Sequence, residues 1–439
     1  MPSSALLPVV FSRYSRAALF ALMLVFLLPL IAFSGTTTAD YEEADRHALS
    51  APASAERDMR RLSAYLTEPF EGNEALQARA LFRWITDRIR YDTSAYFGGA
   101  QSVSEAGPEQ VLETRQALCG GYAALFTFMA TEAGLEAVTI NGHSKGYGFS
   151  PEQARRQGLE SNHAWNAVRI DGDWKLLDAT WGAGFIDEES LSFAKSFEEH
   201  YFFTAAESFI YDHFPEDERW QLLDTPLNED QYLDMAWVRP AFFQHGLRLD
   251  SHRQQRIETA GPVVVELGVP EESILNARLS KNGTEPTHEP LLVHHRGNRG
   301  FVELTPPERG TYELELFVRK AANTGQEYTW AMSYTIESRR ETSHAGYPET
   351  FAQFLERRSY LEQPRSYLLE RGNTQRFSLH VPGAQEISVI NDGQWTPLSR
   401  DGHHFSGDVP LKQGDVQVVG RFSPSQSGSY EVMLQYMAR

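Results

Sequence analysis

Helical spacing of apolar residues runs through the first third of the chain, and short alternating runs fill the last part. Within 74–90, the residues Leu76, Ala80, Leu81, Trp84, Ile85 and Ile89 form one apolar stripe, which predicts a helix packed on a core. Residues 56–66 read as another helix, and Gly107-Pro108 opens a short one through Thr114, with proline at its first position. Leu118, Tyr122, Leu125, Phe126, Met129 and Ala133 repeat at i, i+4, i+7 and i+8, which predicts a buried helix over 118–133 that Gly134 ends. Residues 135–142 then read as a strand, and 143–161 as a polar, glycine-rich loop of a length that is usually functional, a rim or lid leading into His163. Residues 163–170 and 174–180 read as two strands around Asp171-Gly172, a two-residue hairpin turn. In that register 170 pairs with 173 and 163 with 180. Residues 182–250 are rich in aromatics and read as closing elements of the same core.

From about 251 the period changes to two. The runs 263–269, 274–281, 291–295, 301–304, 312–319 and 328–336 are separated by turn residues, and a second set follows at 377–381, 387–390, 405–409, 416–422 and 430–436. The pattern predicts antiparallel β-sandwich, immunoglobulin-like (Ig-like) domains at 251–345 and 346–439, behind a core and connection at 40–250. Val269-Pro270 and Val381-Pro382 hold similar places in the two sets and suggest related domains. His294-His295 and His403-His404 read as exposed strand-end residues.

Charge and the N-terminus narrow the function classes. The net charge is −19, from 40 basic and 59 acidic residues, which argues against nucleic acid or an anionic membrane surface as partner. Arg13 and Arg16 precede an apolar run over 17–33, with small and polar residues after it. That is the layout of a secretory signal peptide within 1–39; an uncleaved N-terminal anchor is the alternative. Either places the bulk of the chain outside, periplasmic or extracellular, with membrane contact only through that segment. Exported cysteines usually pair, yet Cys119 is the only cysteine of 439 residues. A lone exported thiol is better explained by chemistry than by architecture.

Cys119, His163 and Asp178 follow one another as a thiol, an imidazole and a carboxylate, the parts of a cysteine nucleophile with its base and orienter. Cys119 stands at the start of the 118–133 helix, where unpaired N–H groups and the dipole favour a thiolate and could hold an oxyanion. On the predicted hairpin Asp178 is the diagonal neighbour of His163, roughly 7–8 Å away on one face. Trp165 would pair with Asp178 and shield the His–Asp bond from water. The bland alternatives are a small buried cysteine at a helix start and an ordinary surface hairpin. His143 could be imagined as a metal ligand beside His163, but no HExxH or CxxC pattern supports one, so no metal is expected. Lys145 reads as a solvated charge.

Cys119-Gly120-Gly121-Tyr122, Asn162-His163-Ala164-Trp165-Asn166 and Leu176-Leu177-Asp178-Ala179-Thr180-Trp181-Gly182-Ala183-Gly184 together resemble the transglutaminase-like superfamily, and within it the kyphoscoliosis-peptidase branch. Arg79 to Ile85, Ile89 to Asp92 and Gly142 to Gly148 are similar to that branch as well, and the resemblance covers roughly 56–225. It implies an α+β, papain-like core with Cys119 as nucleophile, His163 as base and Asp178 as orienter. Gln116 could lend a side-chain amide to the oxyanion hole, as a glutamine does in papain-like sites. The expected function is an exported cysteine peptidase or amidase that works through a thioester on a protein or peptide substrate, with no cofactor. A protein-glutamine acyltransferase, or a non-catalytic scaffold that binds an envelope or extracellular partner, are the alternatives.

Overall fold

Capping residues set the boundaries of the helical layer. The computed structural model describes residues 38–99, 107–286, 290–323, 325, 327–342, 346–423 and 429–439. The apolar run 17–33, and with it the expected signal or anchor, lies outside them. The helix expected from residue 56 begins at Met59, because Asp58 caps it by accepting from Arg61 N at 2.9 Å. Asn73 caps Glu74–Arg88, and Gly107 precedes Pro108–Thr114. The central helix is Cys119–Glu132, and Gly134 beyond its end takes φ +85°, which glycine alone adopts without strain. A further helix, Thr38–Leu49, has no apolar stripe to announce it; Ala44 and Ala48 are buried in the core and Tyr41 packs against it. Arg79, 2% exposed, ties it in by bidentate bonds to Asp45 (2.6 and 2.8 Å) and to Glu199 (2.7 Å each).

Behind the central helix stands a five-stranded antiparallel sheet in the order Phe202–Thr204, Asp173–Leu177, His163–Ile170, Ala137–Ser144, His213–Pro215. Asn166 on the middle strand joins helix to sheet, donating to Ala123 O at 3.0 Å and Thr127 Oγ1 at 2.9 Å. The hairpin closes at Ile170 and Asp173, with Asp171 at φ +50° and Gly172 at φ +92°, as a two-residue primed turn requires. The expected ladder does not continue to 163 and 180. Pairing stops at Asn166 with Leu177, and Asp178 leaves the sheet to cap the helix Ala179–Ala183. Aspartate is among the strongest N-caps, and its carboxylate satisfies Thr180 N (2.7 Å) and Trp181 N (3.1 Å). Trp165 therefore does not pair with Asp178; it pairs with Ile140 on the opposite side, and His163 with Gly142.

The segment 143–161 is also more ordered than a glycine-rich rim. His143 and Ser144 continue the strand, and Ser150 caps a helix at Pro151–Gln157. Lys145 is not solvated: it is 1% exposed, donates Nζ to Tyr232 O at 2.9 Å and lies over the Tyr232 ring. Burial pushes its ammonium down to about 7.

Two sandwiches follow, with the same strand order. One sheet of the first runs Trp237–Val238, Thr329–Ser338, Gly310–Lys320, Ser273–Ser280; its counterpart runs Glu349–Thr350, Glu431–Ala438, Gly414–Arg421, Glu386–Asn391, with Gln394–Pro397 added. The other sheets run Arg248–Leu249, Val263–Gly268, Arg299–Leu304, Leu291–Arg296 and Tyr360–Gln363, Thr374–His380, His404–Pro410, Ser399–Asp401. Each sandwich adds one parallel edge strand, Arg256–Thr259 or Leu368–Leu369. The first sandwich thus takes strands from residue 237, earlier than the change of period at 251, because its two opening strands are only two residues long. His294 and His295 are not exposed strand ends but fully buried: His295 N donates to Ser359 O at 2.8 Å, and the His294 ring stacks on Tyr360 at 4.3 Å. They join one sandwich to the next.

Candidate active site

Three elements of the core bring Cys119, His163 and Asp178 together. Cys119 is the first residue of its helix, with Leu118 as an N-cap that supplies no side-chain acceptor. His163 begins the middle strand, and Asp178 follows the neighbouring strand. All three are buried, at 0%, 4% and 0% exposure. His163 Nε2 lies 2.7 Å from Asp178 Oδ2. That commits Nε2 to donating and leaves Nδ1 for the thiol, with which the ring also hydrogen-bonds.

The electrostatics follow from that line. Burial alone would push the His163 imidazole down, but the charge of Asp178, the charge of Cys119 and the hydrogen bonds to both outweigh it and raise the ring to about 10. Burial would push Asp178 up; the facing His163 and the bonds from His163 and His213 instead hold its carboxyl well below the usual carboxylate range. The arrangement favours an imidazolium beside an ionised carboxylate. The first-turn N–H groups of an α-helix have no partner within the helix, so the Cys119 end of its helix is where an oxyanion would be met.

Sequence reasoning missed one member of this group. His213 Nε2 lies 3.0 Å from the same Asp178 Oδ2, and its Nδ1 lies 2.6 Å from Asp212 Oδ1. Tyr201 donates to the other oxygen of Asp212 at 3.0 Å. The pair sits in an aromatic stretch with no motif of its own, 35 residues from Asp178 in sequence; only the pairing of His213 with Ser144 on the sheet edge brings it in. The histidine beside His163 is thus His213. His143 faces away, its Nδ1 3.0 Å from Glu160 O. His163, Asp178 and His213 present three converging ligand atoms, but the same atoms are already joined at hydrogen-bond distances. Trp165, 1% exposed, stacks beside His163 at 6.0 Å and meets His213 edge to face at 5.0 Å, so it covers the group from within the core. Gln116 is exposed on the two-residue strand Gln116–Ala117, outside the buried group.

Comparison with known proteins matches this part of the chain. Residues 60–179 match the model of the transglutaminase-like superfamily, and residues 229–348 that of the KY-like, immunoglobulin-like domain. Kyphoscoliosis peptidase of Mus musculus and of Homo sapiens are each 33% identical over 267 residues, which is 60% of this chain and 38% of theirs. Hillarin of Drosophila melanogaster is 27% identical over 324 residues, 67% of this chain and 38% of its own. The matched region thus spans well under half of these relatives. With the central helix and hairpin inside 60–179 and the first sandwich inside 229–348, the chain carries a transglutaminase-like domain followed by a KY-like, immunoglobulin-like domain.

Proposed function

We propose that the protein is a cysteine peptidase or amidase acting through a thioester on Cys119. The observation that carries the reading is the unbroken line from the Cys119 thiol through His163 to Asp178 at 2.7 Å, set at the start of a helix. The Cys119 sulfur attacks the amide carbonyl, a C–S bond forms, and the carbonyl electrons move to oxygen at the helix start. When the tetrahedral species collapses, the C–N bond breaks and His163 Nδ1 gives its proton to the leaving amine. Water then attacks the thioester as His163 takes its proton; the acid departs and the thiolate returns. Asp178 holds Nε2–H throughout and stabilises the imidazolium.

Hydrolysis is favoured over transfer to a second amine because Trp165 lies beneath His163 in the core and does not line a channel. A transferase has to shield its thioester so that a bound amine outcompetes water at about 55 M, through proximity. Export rests on Arg13, Arg16 and the run 17–33. The test is product analysis with a glutamine peptide and a peptide-bond substrate, with and without excess primary amine. Cleavage or deamidation unaffected by amine is expected; amine incorporated into glutamine without cleavage would replace this reading with a transglutaminase.

A further inference from the structure

The Asp178 carboxylate accepts four hydrogen bonds. Two on Oδ1 come from Thr180 N and Trp181 N, and two on Oδ2 from the rings of His163 and His213. His213 is fully buried in this position. Its ring stacks on Phe209 at 4.0 Å and packs against Trp181 at 4.6 Å and Trp165 at 5.0 Å. A histidine that only filled this space would need one polar partner. His213 has two, a carboxylate oxygen at each ring nitrogen.

We propose that His213, backed by Asp212, is a positioning residue that fixes the Asp178 carboxylate for His163, as a second histidine–carboxylate dyad set behind the first. The inference rests on the cysteine-nucleophile reading above and deepens it. His213 touches neither thiol nor substrate. It acts through Oδ2 of Asp178, the oxygen His163 uses, so the carboxylate cannot turn away as the imidazolium forms and decays. The second carboxylate supports this: Asp212 holds Nδ1 at 2.6 Å while Asp178 holds Nε2 at 3.0 Å, so the ring is fixed at both ends. The backbone supports it too, since Asp178 N donates to Tyr201 O (2.9 Å) while the Tyr201 hydroxyl donates to Asp212.

The groups that face His213 are Asp178 at the helix cap, Asp212 beside it and His163 across the sheet, with ring centroids 5.4 Å apart. Tyr201 and His200 face it from the preceding turn, and Lys145 lies beyond Asp212. Loss of the His213 donor leaves Asp178 less well held, lowers the basicity of His163, and so demands a higher pH for the thiolate–imidazolium pair.

The test is the pH dependence of Cys119 alkylation by iodoacetamide, followed by intact mass, with each protein normalised to its own rate at high pH. His213→Leu is expected to move the midpoint up by about one pH unit, so that labelling at pH 6 falls about tenfold. His213→Gln, whose amide can still donate to Oδ2, is expected to recover part of that shift. Asp212→Asn keeps shape and a hydrogen bond to Nδ1 but removes the charge, and is expected to shift the midpoint in the same direction; it decides the matter if His213→Leu does not fold. Folded His213→Gln and Asp212→Asn proteins with the wild-type midpoint would overturn the inference and leave His213 a packing residue. A wild-type midpoint at the ordinary thiol value of about 8.5 would overturn the nucleophile reading itself, and this inference with it.

Discussion

Replacing Asp178 by Asn is the perturbation whose consequences the geometry specifies most fully. As a helix cap the amide is nearly as good as the carboxylate, so its oxygen can keep the bonds from Thr180 N and Trp181 N. The amide nitrogen then faces His163 Nε2 and His213 Nε2, and it is a donor where both rings donate. Each ring must present a lone pair instead, which puts the His163 proton on Nδ1, toward the thiol it is meant to deprotonate. Flipping the amide restores the rings but sets its N–H groups against two backbone N–H groups. Either way two hydrogen bonds to a charged acceptor are lost, at about 1.5–3 kcal/mol each. The wrong tautomer should lower turnover about a thousand- to ten-thousand-fold, or roughly 4–5.5 kcal/mol of transition-state stabilisation. The assay is turnover of a peptide substrate together with circular dichroism and thermal unfolding. An Asp178→Asn protein that folds and turns over within a few-fold of wild type would refute the role given to Asp178.

Three further outcomes are expected. Lys145 binds fewer protons folded than unfolded between about pH 7 and its ordinary value near 10.4, so its burial costs most below pH 7 and the cost fades as pH rises through that window. Lys145→Met should therefore unfold at a higher temperature than wild type at pH 6, by up to about 4 kcal/mol of stability, with the gap closing by pH 10. A β-carbon on Gly142 would lie 2.3 Å from Phe214 O and 2.5 Å from the Trp165 ring, so Gly142→Ala should lose about 1–3 kcal/mol in denaturant melts, whereas Gly261→Ala, with nothing within 4 Å, should stay within about 0.5 kcal/mol. His163, raised in the fold, contributes stability that is whole below its unfolded value near 6.5 and is lost as pH climbs toward about 10; Asp178, depressed in the fold, contributes stability that is whole above about 3.9 and is lost in acid. With the opposing Lys145 contribution removed by Lys145→Met, denaturant midpoints should accordingly be highest between about pH 4 and 6.5, and adding His163→Gln to that protein should abolish the alkaline decline.

What the sequence reveals and what it withholds divide along physical lines. The helix under Cys119 and the turn at Asp171-Gly172 are legible because their signals are local: an apolar stripe and two residues that tolerate positive φ. The two sandwiches are legible for the same reason, as period-two runs between turns. The path of Asp178 is not, because a strand that continues and a strand that ends in a helix cap differ only in which partner the carboxylate finds. Lys145, His294 and His295 mislead because charge and polarity predict exposure on average, and these three find partners inside: a carbonyl under Lys145, a stacked Tyr360 on His294 and a backbone N–H on His295. His213 and Asp212 are invisible to motif reading because sheet order alone places them against Asp178.

The most direct measurement of the central claim is capture of the acyl group. Wild-type protein, mixed near pH 6.5 with an activated ester of a blocked amino acid, should gain one acyl mass within the burst of leaving-group release, and peptide mapping should place it on Cys119. Cys119→Ala should gain none, and hydroxylamine should remove the mass, as it does from a thioester. An acyl mass on any other residue, or equal burst and mass in the Cys119→Ala protein, would contradict the account.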